Sequence, residues 1–341
     1  MKFAKSLCCF AAAAFASAVG LAQAQDRPVE LKFGYWVPPA HALIPATQQW
    51  ADSVAKASNG SIKVTIYPSE QLGKAFDHYD MSRDGIADLA LVNPGYQPGR
   101  FPVVAASELP FIFSNAVSGS RAFDEWYRRY APKEMRDVKY CLGFGHDPGS
   151  FHFTKKKVVL PSDMKGLKIR PANATIASFI TLLGGTTVQA SAAEMRDVLE
   201  KGVADGSASP WESILLFKAD SLLKYHIEEP IYVATFVWTM NSDKYAAMSA
   251  SQKKVMDDHC SSEWAERIAK PWAEREFSGH AKLRAAGHDV YRLSPADVAA
   301  WKKAAEPLQQ KWADAAKKAG ADPQAVMKDL LATVKKYNAL Y

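Results

Sequence analysis

The sequence predicts an α/β fold in which mostly parallel sheets, flanked by helices, are divided between two lobes. Segment 165–211 reads as strand, helix, strand, helix and strand, which is the order of a parallel sheet with helices on its faces. The motif Gly-x-Ala-Asp occurs at 85–88 and again at 202–205, each time after a predicted helix and before a predicted strand. With 341 residues, the chain is long enough for two such units.

The first half of the chain alternates predicted strands and helices. The strands fall at 31–36, 62–66, 89–92 and 140–144, and the helices at 43–56, around 76–81 and at about 116–130. Because ligands bind beyond the carboxyl ends of parallel strands, we expect Tyr35, Trp36 and His41 to face a cleft. The turn after the third strand adds Tyr96. Core packing of the aromatic residues and a capping or surface role of the histidine are the alternatives.

The central segment brings an arginine to the end of a strand. Leu167 and Ile169 alternate with Lys168, and Pro171 prevents the strand from continuing beyond Arg170. A guanidinium stays charged at any working pH and matches a carboxylate with two N–H groups, so Arg170 is a candidate anion anchor. The alternative is an arginine that ends a strand and pairs with a surface acid.

Two helix starts follow in the same segment. Asn173 is a predicted N-cap, and Ser191 with Glu194 forms a predicted capping box. The last strand ends at Ser209 and Trp211, which become further candidates for ligand contact.

The C-terminal third is predicted to return to the first lobe through a strand within 231–240, where Trp238 either caps the cleft or packs in the core. The helical pattern over 251–286 is longer than most globular helices, and Pro271 should kink or divide it. A strand at 289–292 and helices starting at Ser294 and Asp322 complete the chain.

Residues 1–24 predict a cleaved signal peptide. Lys2 and Lys5 precede an apolar stretch over 7–21, and Ala22-Gln-Ala24 has the A-x-A form of a cleavage site. A signal anchor is the alternative, but the apolar run is shorter than a bilayer span. Cleavage near Ala24 therefore predicts an exported protein.

The cysteines and the net charge predict neither a disulfide framework nor a nucleic-acid-binding protein. Removal of the leader leaves Cys141 and Cys260, without a C-x-x-C pair. Cys141 lies in an apolar strand and reads as a buried hydrophobic residue, and whether it pairs with Cys260 stays open. The net charge of +6, without a basic cluster interleaved with aromatic residues, predicts no nucleic-acid partner.

No catalytic or metal motif is present in the sequence. It lacks G-x-S-x-G, H-E-x-x-H and a P-loop, and its eight histidines are scattered. We therefore expect no enzyme, no metal and no cofactor. An exported hydrolase whose site is assembled from distant residues stays open as a remote alternative.

A family resemblance rests on four motifs, K-G-L-K-I-R-P at 165–171, S-A-A-E at 191–194, G-V-A-D-G at 202–206 and S-P-W at 209–211. The sequence resembles the extracytoplasmic solute-binding proteins of TRAP (tripartite ATP-independent periplasmic) transporters over essentially the whole mature chain. The resemblance implies a two-lobed periplasmic-binding-protein fold with a long helix spanning both lobes. It also implies that Arg170 forms a salt bridge to the ligand carboxylate.

The resemblance further implies a periplasmic monomer that closes on an organic acid and presents it to a membrane permease driven by an ion gradient. We place lobe I at 25–148 and 237–272 and lobe II at 149–236 and 273–341, with the ligand cleft between them.

Two departures from the family pattern guide the choice of ligand. Where the sialic-acid-binding branch supplies a second arginine, this chain has Phe151 or His152, and Ser209 replaces a frequent asparagine. One cation with added aromatic surface favours an aromatic monocarboxylate or 2-oxo acid, such as phenylglyoxylate or hydroxybenzoate. A C4-dicarboxylate or an aliphatic hydroxy or keto acid is the alternative. The expected site consists of Arg170, polar contacts from Ser209, His41 and His152, and aromatic walls from Tyr35, Trp36, Tyr96, Phe151, Trp211 and Trp238.

Overall fold

The computed structural model describes residues 26–341, and their strands form two sheets. The strands are β1 (Val29–Gly34), β2 (Ile62–Tyr67), β3 (Leu89–Val92), β4 (Lys139–Gly145), β5 (Ser150–Phe153), β6 (Lys168–Arg170), β7 (Thr186–Thr187), β8 (Gly206–Ser209), β9 (Tyr225–Ile227), β10 (Thr235–Met240) and β11 (Asp289–Tyr291). The first sheet has the order β2-β1-β3-β10-β4 and the second the order β11-β9-β5-β8-β6-β7. The predicted α/β fold is confirmed.

Helices cover both sheets. They are α1 (Leu43–Ala57), α2 (His78–Arg83), α3 (Val117–Tyr127), α4 (Ala131–Glu134), α5 (Ala174–Leu182), α6 (Met195–Glu200), α7 (Trp211–Leu216), α8 (Ser242–Ala246), α9 (Ala250–His259), α10 (Ser262–Ala285), α11 (Pro295–Lys318) and α12 (Pro323–Lys336). Short 3₁₀ turns at Pro94–Tyr96 and Val104–Glu108 follow β3.

Parallel pairing places the carboxyl ends of several strands at one edge of each sheet. In the first sheet β1 runs parallel to β2 and β3, and in the second β6 runs parallel to β7 and β8. Strand β10 lies antiparallel between β3 and β4, and β5 lies antiparallel between β8 and β9. The chain therefore crosses from one sheet to the other at the β4–β5 connection and again just before β10.

The central segment forms β6, α5, β7, α6 and β8 in the predicted order. The Asn173 side chain accepts the Ile176 N–H at 2.8 Å and caps α5. Ser191 N–H donates to the Glu194 carboxylate at 2.8 Å, and Glu194 N–H donates back to Ser191 Oγ at 3.3 Å. These local bonds satisfy backbone donors at helix starts, which is why the sequence identifies them.

The predicted long helix is divided, but at a different residue from the expected one. The predicted division at Pro271 is wrong, because α10 continues through that proline, and the alternative of a kink there stays a prediction. The chain instead leaves the helix at Cys260, and the Ser261 side chain caps α10 through Trp264 N–H at 3.4 Å. Helix α10 packs on α3 and β4 beside the first sheet and on α7 and β11 beside the second, so it spans both layers.

A disulfide joins Cys141 of β4 to Cys260, the residue at which the chain leaves α9. The pairing was left open by the sequence, and Cys141 is a bonded residue and not a free buried thiol. The bond closes a segment with a sequence separation of 119 residues. Both cysteines are buried.

The last helix packs on the first layer. Trp126 of α3 donates its indole N–H to Val326 O at 3.2 Å, and the Tyr130 hydroxyl donates to Asp329 at 2.6 Å. Strands β1 to β4 lie within 25–148 and β5 to β9 within 149–236. The proposed lobe boundaries remain a prediction.

Within residues 26–341, no helix combines the length and the apolar character that crossing a membrane requires. The predicted signal peptide lies outside the described residues.

We predict that replacing both cysteines, Cys141→Ala with Cys260→Ala, lowers the free energy of unfolding by about 2–5 kcal/mol. The physical reason is that, without the disulfide, the long loop is no longer closed and the unfolded chain gains conformational entropy. Urea denaturation followed by tryptophan fluorescence measures the change. Reductant should lower the urea midpoint of the parent protein and leave that of the double variant unchanged. Equal midpoints for the two proteins, each with and without reductant, would contradict the prediction.

Candidate functional site

A cavity of about 30 Å³ lies between the two sheets, where β1, β3, β6 and β8 end. Its polar lining comes from both sides and comprises Trp36, His41, Asn93, Tyr96, His146 and Arg170. Apolar and aromatic walls come from Phe217, Phe236 and Trp272. The cavity therefore lies at the strand edge where the sequence places the ligand.

Arg170 is buried at the wall of this cavity, with 3% of its surface exposed. Its Nε donates to Ala190 O at 3.0 Å, Nη1 to Ala208 O at 3.2 Å, and Nη2 to the Tyr96 hydroxyl at 3.0 Å. In the described part of the chain it forms no ion pair with a carboxylate, so the alternative of a surface pair does not hold. One N–H on each η nitrogen is left over, and a guanidinium can donate two N–H groups to one carboxylate.

Tyr96 joins the two sides of the cavity. It ends the 3₁₀ turn after β3, and its hydroxyl oxygen accepts from Arg170 Nη2 and from Ala192 N–H at 2.9 Å. In the same turn, Asn93 donates to Ala172 O at 3.3 Å. These bonds close the cleft over the arginine, and the Tyr96 hydroxyl keeps its own proton available as a donor.

Gly95 packs tightly against the opposite side of the cleft. A Cβ at this position would lie 2.4 Å from the Cβ of Asn173, so a larger side chain would push the two sides apart. A larger groove of about 370 Å³ is lined by the 94–109 segment, α5 and α11. The larger groove contains neither Arg170 nor Tyr96, and we assign the candidate site to the smaller cavity for that reason.

His41 is held as a neutral hydrogen-bond donor. Leu43 N–H, at the start of α1, donates to His41 Nδ1 at 3.1 Å, so the ring proton lies on Nε2. Burial lowers the pKa of His41 to about 3, and the positive charge of Arg275 adds to the shift. Nearby, the indole N–H of Trp36 is buried without a partner among the described residues.

His146 is a cavity residue that the sequence analysis missed. Its Nδ1–H donates to Asp147 O at 2.6 Å, and its Nε2 accepts Ala234 N–H at 2.9 Å. The bond to Ala234 connects the two segments that cross between the sheets. Burial lowers the pKa of His146 to about 4. The Gly-rich string around it carries no recognisable signal for this role.

Phe236, Trp272, Asn93 and Ser213 also line the cavity without having been predicted. Phe236 could have been found from the alternation of β10, whereas Trp272 lies on a helix that gives no such signal. The Trp272 indole donates to Glu276 at 2.7 Å. Burial raises the pKa of Glu276, and likewise that of Glu108 beside Asn173, to about 8.

Two predicted aromatic residues belong to the core of the first layer and not to this cavity. Tyr35 and Trp238 pack around Phe33, whose ring centroid lies 4.8 and 4.9 Å from theirs. The Tyr35 hydroxyl bonds Thr47 at 2.6 Å. Successive residues of a strand point to opposite faces, so when Trp36 lines the cavity Tyr35 packs behind it.

Phe151, Ser209 and Trp211 also lie outside the cavity lining. Phe151 packs on Trp301 with ring centroids 5.7 Å apart, on the far face of β5. The Ser209 hydroxyl bonds that of Ser207 at 2.8 Å, and Trp211 packs on His152 at 4.9 Å. Burial of these side chains behind the strand ends removes them from direct contact with the cavity.

His152, the last predicted residue, belongs to a chain of three histidines. Its Nε2–H donates to Ser209 O at 2.9 Å, which leaves Nδ1 to accept from His226 Nδ1–H at 2.9 Å. His226 Nε2 then accepts from His288 Nδ1–H, also at 2.9 Å. Since a carbonyl can only accept, every proton in the chain points toward Ser209, and the rings of His152 and His226, which each accept one bond, are neutral.

We predict that stability falls with acidification because buried histidines must stay neutral. Burial lowers the pKa of His226 to about 2, with His152, His288 and Lys224 adding to the shift. The unfolded chain takes up the proton near pH 6.5, so the stability is fully present above that pH and is lost as the pH falls toward the folded value.

Urea denaturation between pH 4.5 and 7.5 tests this. For His226→Gln, the free energy of unfolding should fall less steeply below pH 6.5, by about 1.4 kcal/mol per pH unit. Glu108 and Glu276, whose raised pKa values act in the opposite sense, cancel in the comparison with the parent protein. Parallel curves for the two proteins would contradict the prediction.

Known proteins resemble this chain in sequence and in fold. Residues 33–315 match the family model described as bacterial extracellular solute-binding protein, family 7. A TRAP solute-binding protein from Rhodoferax ferrireducens T118, in complex with copurified benzoate, is 29% identical with a TM-score of 0.86, over 91% of this chain and 98% of that one. A marine metagenome TRAP solute-binding protein specific for aromatic acid ligands, in complex with 3-hydroxybenzoate, is 32% identical with a TM-score of 0.86, over 92% and 99%.

A TRAP periplasmic solute-binding protein from Bordetella bronchiseptica with bound (R)- and (S)-mandelate is 29% identical with a TM-score of 0.85, over 91% and 99% of the two chains. Solved structures with bound uronates also share the fold, at 20% and 21% identity. Among curated relatives, the match spans 38% of an uncharacterised protein of Sinorhizobium fredii and 53% of a solute-binding protein of Chromohalobacter salexigens, so the chain spans about half their length.

The two-sheet architecture, the match over most of the chain and the solved neighbours agree, and the chain belongs to the bacterial extracellular solute-binding protein family 7, whose structural neighbours here are the solute-binding proteins of TRAP transporters.

Proposed function

We propose that this protein binds an aromatic monocarboxylate in the periplasm and delivers it to the membrane permease of a TRAP transporter. The observation that carries the proposal is the buried Arg170, which has no counter-ion among residues 26–341 and two N–H groups available. A buried charge without an opposite charge is unfavourable, so the site favours an anion.

The chemistry of the lining supports an aromatic acid with a single carboxylate. Among the described residues, Arg170 is the one lysine or arginine that is buried, so no second cation stands ready for a second carboxylate. Trp36, Phe236 and Trp272 supply aromatic surface. The neighbours at 29–32% identity that are named with benzoate, 3-hydroxybenzoate and mandelate agree with this class. A C4-dicarboxylate lacks its second cation here, and uronate binders share only the fold.

Of the ten predicted residues, we propose that Arg170, Trp36, His41 and Tyr96 contact the ligand, since these four line the cavity. The other six act indirectly, by supporting the strand ends from behind. We further propose that residues 1–24 are removed on export, that the protein acts as a monomer without catalysis, and that an ion gradient across the permease drives uptake.

The test is a thermal-shift and calorimetric titration of the mature protein with benzoate, phenylglyoxylate, mandelate, succinate and D-glucuronate. We expect aromatic acids to bind and Arg170→Gln to weaken them at least about thirtyfold, because a buried ion pair loses one partner. Arg170→Lys keeps the charge and loses the two-pronged contact, so it should recover only part of the affinity.

Arg136→Gln, which removes an exposed arginine, is the matched control and should bind as the parent protein does. When the ligand concentration is 100 times the dissociation constant, the parent protein gains about 2.7 kcal/mol of stability, and a thermal shift detects this gain. Preferential binding of succinate or glucuronate, or aromatic binding that is indifferent to Arg170, would refute the proposal.

A further inference from the structure

The hydrogen-bonding groups that remain unused in the cavity are mainly donors. Arg170 keeps two N–H groups, and the Tyr96 hydroxyl keeps its proton after accepting twice. Trp36 Nε1–H is buried without a partner within the described residues, and His41 Nε2–H forms no hydrogen bond to any of them. None of the described side chains that line the cavity is a carboxylate. Arg170 accounts for the ligand carboxylate, and the donors of Trp36 and His41 remain to be explained.

His41 cannot reverse its role. Its Nδ1 accepts Leu43 N–H at 3.1 Å, and a backbone N–H never accepts, so Nδ1 has to stay unprotonated. Protonation is opposed by burial and by Arg275, which lies close enough to donate to Ala40 O. His41 therefore presents a fixed N–H at Nε2, with 2% of the residue exposed.

Trp36 presents a second donor of the same kind. An indole nitrogen can only donate, and this one is buried at the cavity without an acceptor among residues 26–341. Buried polar groups are almost always paired, and a donor left without an acceptor is unfavourable. Two such donors at one cavity indicate a ligand that carries acceptors beyond its carboxylate.

We infer that the site selects aromatic acids that carry a second hydrogen-bond acceptor, such as an oxo oxygen, through His41 Nε2–H and Trp36 Nε1–H. This inference rests on the proposed function and specifies which aromatic acids are bound. An oxo oxygen has two lone pairs and no proton of its own, so it accepts from both donors. An ethyl or methylene group of the same shape would leave both donors unpaired.

The experiment measures dissociation constants by calorimetry for shape-matched pairs of acids, with and without the oxo oxygen. The pairs are phenylglyoxylate with phenylacetate, 3-acetylbenzoate with 3-ethylbenzoate, and 4-acetylbenzoate with 4-ethylbenzoate. They place the acceptor beside the carboxylate or at either ring position. We expect at least one pair to show a preference of about tenfold for the oxo acid.

Three variants assign the preference to the two donors. Trp36→Phe removes the indole N–H and keeps an aromatic ring. His41→Asn keeps an acceptor for Leu43 N–H and places no donor where Nε2 was, whereas His41→Gln offers an amide N–H at that position. The ratio of the dissociation constants within a pair should fall toward one in Trp36→Phe and in His41→Asn. The preference for the oxo acid should return in part in His41→Gln. Loss of other contacts in these variants acts on both acids of a pair, so the ratio of the two dissociation constants, and not either one alone, reports on the two donors.

Equal affinities within every pair of the parent protein would overturn the inference, as would a preference that survives both Trp36→Phe and His41→Asn. Either result would leave the proposed function standing, because aromatic acids would still bind. If no acid of the panel binds the parent protein, the proposed function itself fails.

Discussion

The Arg170 guanidinium lies buried between the two sheets, and its hydrogen-bond partners within residues 26–341 are all neutral: the carbonyl oxygens of Ala190 and Ala208 and the Tyr96 hydroxyl. These bonds orient the charge without neutralising it. The buried carboxyls Glu108 and Glu276 do not neutralise it either, because burial raises their pKa values to about 8. The cavity therefore keeps a positive charge that an organic anion can neutralise, and this is the constraint on which the site depends.

The contacts that orient the arginine also hold the cleft closed. Tyr96 accepts from Arg170 and from Ala192 with one hydroxyl oxygen, so the turn after β3 is bonded to the segment after β6. Gly95 packs on Asn173 with no room for a side chain. His146 bonds both crossing segments. Because these groups are shared, any change that moves Arg170 also disturbs closure, which fits a receptor whose ligand stabilises the closed form by binding it better.

The rule that ligands lie beyond strand ends predicted Arg170, Trp36, His41 and Tyr96, all of which line the cavity. The same rule cannot tell which of two neighbouring residues faces inward, since adjacent side chains point to opposite faces. Tyr35 therefore packs in the core beside Phe33. His152 lies within β5 and was predicted from the family pattern, but its two ring nitrogens bond Ser209 O and His226 Nδ1.

By itself, the sequence determined the order of elements, the caps at Asn173 and Ser191 and the arginine at the end of β6, because each depends on residues within a few positions of one another. Only the tertiary structure decided the disulfide between Cys141 and Cys260, the helix break beside it, and the place of His146 and Trp272 in the cavity wall. These features depend on distances between residues that are far apart in the chain. Such distances are set by how the sheets and helices pack, and no local pattern records them.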